Sequence, residues 1–357
     1  MRRTIIIATL LVGCDAEREQ PPADSPRTGQ VPTPGPGGWG AGDERGNGNT
    51  QSYGTRLRCA AHLADPQANL YELSHEISET MPQNIFSQGP LATDFLPTGG
   101  APFTIQLVNG EIVTGEIGQQ GTQFDALGHF GALPAPWLPF VDPLPLVDTA
   151  TYYNGFTQAE VKPDPAGPLE KLGVQNAPPV ITSAVVLDAK EFLGASMEAG
   201  DLVTADMIDD MIDDSPLLHV RGIKPGDAVF IRTGWGERWT DPQIDPSYYL
   251  GSPGLSSDAV ARLAEDVPVL VALDNATPDA FFGVCELDGS CAPPESIPGI
   301  PFPAHHFDLV VHGIHQIQNV DLTAAADDDV VLGCAMVLPL PIRGAAGSPV
   351  RVVLVGR

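Results

Sequence analysis

Three short apolar runs limit what this chain can fold into. Val180-Ile181-Thr182-Ser183-Ala184-Val185-Val186-Leu187 closes on Asp188. Ala228-Val229-Phe230-Ile231 follows the turn residues Gly226-Asp227. Val269-Leu270-Val271-Ala272-Leu273 follows Pro268 and closes on Asp274. Continuous apolar runs of this length read as strands buried on both faces. Between the second and third, Pro253-Gly254-Leu255-Ser256 caps a helix with Ala259, Leu263 and Ala264 on its inner side. Strand, helix and strand in this order predict a mixed α/β domain.

The flanking segments fit that frame. Thr204 to Asp214 puts Met207, Ile208, Met211 and Ile212 on one helical face and aspartates on the other. The acidic face lacks the oxygen spacing and glycine of a calcium loop, so it reads as solvated. Leu70 to Ile77 alternates as a first strand, ended by Met81-Pro82. Phe103 to Val108 and Glu111 to Gly115 read as a hairpin around Asn109-Gly110. Pro134 to Pro145 is proline-dense and reads as irregular cover. A formal charge of −27 over 357 residues excludes a nucleic-acid surface, which needs a basic face. It also disfavours docking of the globular surface on anionic lipid.

The densest chemistry lies in Gln119-Gln120-Gly121-Thr122-Gln123-Phe124-Asp125-Ala126-Leu127-Gly128-His129. Gly121 permits a tight bend. Gln119, Gln123 and Asp125 are spaced so that one strand or loop aims three oxygen donors at a point. His129 sits at the rim, where an imidazole takes or gives a proton. The plainer reading is a glycine-rich turn with a hydrogen-bonded Asp and a core His. Four more histidines, His305, His306, His312 and His315, make up half of the eight in the chain. Trp235, Trp239, Tyr248 and Tyr249 read as core or as the lining of an aromatic pocket.

This stretch resembles the signature His-x-Gly-Thr-His-x-Asp-x-x-x-His of the cyclase family, which includes bacterial kynurenine formamidases and isatin hydrolases. It is met at Gly121, Thr122, Asp125 and His129, with Gln119 and Gln123 in place of two histidines. Leu73-Ser74-His75, Thr233-Gly234-Trp235, His306-Phe307-Asp308-Leu309, Gln318-Asn319-Val320 and the segment Pro339 to Arg351 resemble further family segments in the right order. The resemblance implies one mixed-sheet α/β domain of the swivelling β/β/α type, forming dimers or tetramers. It places metal ligands at Gln119, Gln123, Asp125, His306 and Gln318, and the acid/base at His129. Three of those five positions are neutral amides, so a two-metal site is not expected. One divalent ion on Asp125, His306 and amide oxygens suits manganese or magnesium, whereas the family resemblance favours zinc. The implied activity is hydrolysis of an amide, formamide, lactam or ester of a small substrate, aromatic ones included. The alternative is a small-molecule binding protein that has lost hydrolysis.

The N-terminus reads as an address. Arg2-Arg3 followed by Ile5 to Val12 has the charge and apolar core of an export signal, and is too short to span a bilayer. Leu11-Val12-Gly13-Cys14 resembles a bacterial lipobox, which implies a lipid anchor on Cys14 at the cell envelope. Residues 15–55 are rich in Pro, Gly and polar side chains and read as a disordered tether, leaving 56–357 as the domain. In an exported chain the four remaining cysteines favour disulfides. Cys285 and Cys291 flank a turn-like segment, and Cys59 and Cys334 are then left as a pair. For each, the alternative is a buried thiol.

Overall fold

The computed structural model describes residues 29–136, 144–282 and 297–357. Its centre is a sheet of eight strands: Asn69–Glu72 (β1), Gln123–Asp125 (β2), Val180–Asp188 (β3), Ala228–Arg232 (β4), Leu270–Leu273 (β5), His315–Gln318 (β6), Leu332–Pro339 (β7) and Gly347–Gly356 (β8). The three runs read as buried strands are neighbours, and β3, β4, β5 and β6 run parallel. β7 and β8 continue from β3 antiparallel. β2 pairs with both β6 and β8, which closes seven strands into a mixed barrel. β1 is added outside the ring along β8.

Strand alternation divides the core in two. Ala184, Val186, Ala228, Phe230, Leu270, Ala272, Ile317 and Phe124 pack together inside the barrel. Val185, Leu187, Val229, Ile231, Val271 and Leu273 face outward, against helices Ala205–Asp214 (α2) and Ser257–Glu265 (α3). The runs are continuously apolar because both faces are buried. α2 buries Ile208, Met211 and Ile212. Each such side chain contributes on the order of 1.5–3 kcal/mol, so its aspartates need hold nothing in place.

Part of the polar stretch expected to be a tether is docked on the domain. Asn47 and Thr50 are buried, and helix Tyr53–Leu63 (α1) starts before residue 56. The Asn47 N–H donates to Gly313 O at 2.7 Å and its side-chain amide to Pro268 O at 2.9 Å. Gly46, at φ +53°, lies so close to Gly313 that a Cβ there would meet its oxygen at 2.3 Å. Glu44 pairs with Lys171 and accepts from the Leu172 N–H and the Asn176 amide. These residues dock through specific hydrogen bonds, which a count of apolar area does not register.

Two further local readings change. Leu107–Val108 pairs with Gly99–Gly100, and Glu111–Thr114 pairs with Ala92–Phe95. Asn109-Gly110 therefore does not join two directly paired strands, because each partner lies further back in the chain. Cys59 on α1 is bonded to Cys334 on β7, tying this helix to the barrel. Cys14, Cys285, Cys291 and residues 137–143 of the proline-dense segment lie outside the described residues.

Candidate active site

The site lies on the outer face of the barrel where β2 meets β6. Gly121, at φ +64°, turns the chain into β2, and alternation then puts Gln123 and Asp125 on one face with Phe124 on the other. The register sets Gln123 opposite Gln318. Asn319, itself at φ +58°, donates from its amide to Gly121 O at 2.7 Å, and the Thr122 hydroxyl donates to Asn319 O at 2.6 Å. The two segments that carry the glutamines are thus latched to each other.

His305 completes the floor from the short helix Pro303–His305. Asp279 accepts from the Ala304 N–H at 2.6 Å and from the His305 N–H at 3.4 Å, and its carboxylate also meets His305 Nδ1. Gln316 ties the same segment to β6 by donating to Ala304 O at 3.0 Å and to Asp308 at 2.8 Å.

The amides do not aim their oxygens at one point. Gln119 Nε2 donates to Asp125 Oδ1 at 3.1 Å, and Gln318 Nε2 donates to Asp125 Oδ2 at 2.6 Å. Gln123 Nε2 donates to Gln119 Oε1 at 3.0 Å and to Gln318 Oε1 at 2.9 Å. One carboxylate and three amides therefore close a ring.

Asp125, His129 and His305 each offer one ligand atom, all within 4.8 Å of one another, so the set is a possible metal site. The wider ligand set implied by the family pattern does not fit an ion as arranged. Two of its amides, Gln119 and Gln318, present N–H groups to Asp125 and direct their carbonyls at the third, Gln123. The Gln318 nitrogen also lies 3.1 Å from His305 Nε2, beside a ligand atom of that set.

Charge is finely divided here. Burial opposes ionisation of Asp125, but His129, His305 and the Gln119 amide together hold its carboxyl below the usual range. Burial lowers His129 against the pull of Asp125, which keeps it a neutral base near pH 7. Burial would lower His305 too, but the Asp279 and Asp125 carboxylates prevail and raise it to about 9. The imidazole with a carboxylate on each side is the cation of the site, and the other is its base.

Above this floor is a cavity of about 210 Å³, lined in part by Asn84, Glu116, Gln119, His129, His305 and Gln318. Its walls are Phe86, Phe130 and Phe302. Phe302 meets both other rings edge-on at 6.3 and 6.4 Å, and Phe130 stacks on His305 at 4.5 Å. A larger cleft of about 610 Å³ beside Asp188 and Arg232 offers no comparable chemistry. Its guanidinium is already paired with Asp188 and Glu237.

Of the residues singled out in the sequence, Gln119, Gln123, Asp125, His129 and Gln318 meet here. His306 does not; it is half-buried, packs edge-on against Phe307 and lines an adjoining proline-rich groove on the far side of Phe130 and Phe302. Neighbours on a helix point about 100° apart, so one of the pair faces Asp125, and the bonds to Asp279 select His305. The wide π-helical turn His306–His312 begins immediately after it, which blurs any register counted back from Leu309. Trp235, Tyr248 and Tyr249 are core, and His75 stacks on Trp239. Asp279 and the three phenylalanines went unnoticed. Asp279 had one signal, an acid shortly beyond the carboxyl end of a parallel strand, where open α/β sheets bind ligands.

Comparison with known proteins agrees with this architecture. The sequence profile of the family described as "Putative cyclase" matches residues 71–280. A crystal structure described as a novel cyclase is similar at TM-score 0.68 and 24% identity, over 88% of this chain and 97% of that one. Isatin hydrolase A from Ralstonia solanacearum is similar at TM-score 0.53 and 21% identity, over 84% and 95%. Isatin hydrolase A from Labrenzia aggregata, bound to benzyl benzoate, is similar at TM-score 0.53 and 19% identity, over 83% and 96%. No curated protein matches the chain. At these identities the structural likeness speaks for the fold alone. The profile spans more than half of the sequence, and the chain belongs to the cyclase family.

Proposed function

We propose that the protein is a hydrolase that cleaves an amide, formamide, lactam or ester of a small aromatic substrate, with His129 moving the proton. The observation that carries this reading is two imidazoles, His129 and the carboxylate-flanked His305, together on the floor of a phenylalanine-walled cavity. The walls suit a flat ring, and their exclusion of water strengthens every charge interaction beneath it. His129 takes a proton from water as the water oxygen bonds to the carbonyl carbon. The carbonyl electron pair moves onto oxygen, where protonated His305 stabilises it. When the electron pair returns, the carbon–nitrogen or carbon–oxygen bond breaks, and His129 delivers its proton to the leaving atom. Asp279 holds His305 in the orientation that this requires.

The names of two similar structures, isatin hydrolases, support a cyclic aromatic amide as the first substrate to try. The test is turnover on a panel of N-formyl anilines, lactams and aryl esters, with His129→Ala as the control. The expected result is turnover by the native chain and a loss of roughly 10²–10⁴-fold in the variant, the usual span for a general acid/base. Tight binding of such compounds without turnover would favour a binding protein instead.

A further inference from the structure

We infer that in this chain a closed ring of hydrogen bonds, with Gln123 as the closing member, holds Asp125 in place of a metal ion. The inference concerns the site described above and does not depend on its activity.

Asp125 is wholly buried, so its carboxylate requires either a cation or donated hydrogens. It receives Gln119 Nε2 on one oxygen and Gln318 Nε2 on the other. A carboxylate can only accept, which settles which end of each amide faces it. Both amide carbonyls are then directed at Gln123, and a primary amide has two hydrogens to meet them. Gln123 Oε1 itself is buried without a hydrogen-bond partner.

The ring admits an ion only by reversing as a unit. To place a cation beside Asp125, Gln119 and Gln318 would each turn a carbonyl toward it. Their nitrogens would then face the Gln123 nitrogen, donor against donor, so Gln123 would have to reverse as well. Histidine cannot replace this arrangement, because one imidazole nitrogen does not carry two hydrogens. The three glutamines therefore act together, and each is compatible with the other two.

Elemental analysis and thermal melting test this on the full chain, purified without added metal, dialysed against chelator, and then offered Mn²⁺, Mg²⁺ or Zn²⁺. The native protein is expected to carry no stoichiometric ion and to keep its Tm in every condition. The variant Gln119→His/Gln123→His/Gln318→Glu is expected to retain Zn²⁺ through gel filtration and to melt roughly several degrees higher with it than without. One equivalent of ion in the native chain, lost in Asp125→Asn, would overturn the inference. So would a folded triple variant that binds nothing, since the amides would not then be what replaces the ion. If the triple variant does not fold, the native measurement decides. Absence of turnover leaves all of these readouts unchanged, so failure of the hydrolase reading is separately visible.

Discussion

Asp125 and Asp227 are both wholly buried, and they are satisfied in opposite ways. Asp227, just before β4, accepts from the Arg221 guanidinium at 2.6 and 3.0 Å, from the Lys224 N–H at 2.9 Å, and has Arg58 at 3.3 Å. Arg58 lies on α1 and Arg221 ends helix Pro216–Arg221, so this carboxylate fastens two helices to the barrel. Asp125 has no guanidinium, only amides and imidazoles. An arginine keeps its charge at any working pH, whereas an imidazole can give its proton up. The first arrangement suits an anchor, and the second suits a reaction.

The largest effect should separate the two. Asp227→Ala leaves two partly buried guanidinium groups uncompensated and should cost about 3 kcal/mol of stability, read as a lower denaturant midpoint. Asp125→Asn should cost less, roughly 1–3 kcal/mol, because it sets one amide N–H against another. It should nevertheless abolish turnover in protein that remains folded. Equal loss of stability in both would show that Asp125 is an anchor as well.

Acid should act on the side of the molecule near Asp125. His315 is buried between the backbone oxygens of Asp125 and Arg45, and burial lowers its pKa to about 4. Between its ordinary value and that one, the unfolded chain binds a proton that the folded chain does not. Its contribution is therefore lost as pH falls through this window, by about 3 kcal/mol at most. Denaturant titrations at several pH values should show a native curve that falls toward pH 4 more steeply than that of His315→Gln. Parallel curves would remove His315 as the cause.

The smallest expected effect tests the choice between neighbouring histidines. His306→Ala should change stability by no more than about 0.5 kcal/mol, as for a substitution away from any network. It should leave turnover unchanged, while His305→Ala abolishes it. Equal loss from both would mean that the proline-rich groove beside His306 belongs to the site.

Much of this protein was legible before folding. Strand alternation is local, so the common face of Gln123 and Asp125 and the continuous burial of β3 to β5 follow from order along the chain. The family signature marked the same stretch. Tertiary structure alone decided the rest. His305 rather than His306 faces Asp125 because of Asp279, 26 residues earlier. The cavity walls are Phe86, Phe130 and Phe302, which meet only when the barrel closes. The glutamines turn nitrogen rather than oxygen toward Asp125 because the register of β2 on β6 brings Gln318 beside Gln123. Periodicity tells a residue which face it occupies. Which atom it presents there is set by the charge opposite, and for Gln318 that charge lies 193 residues away in the chain.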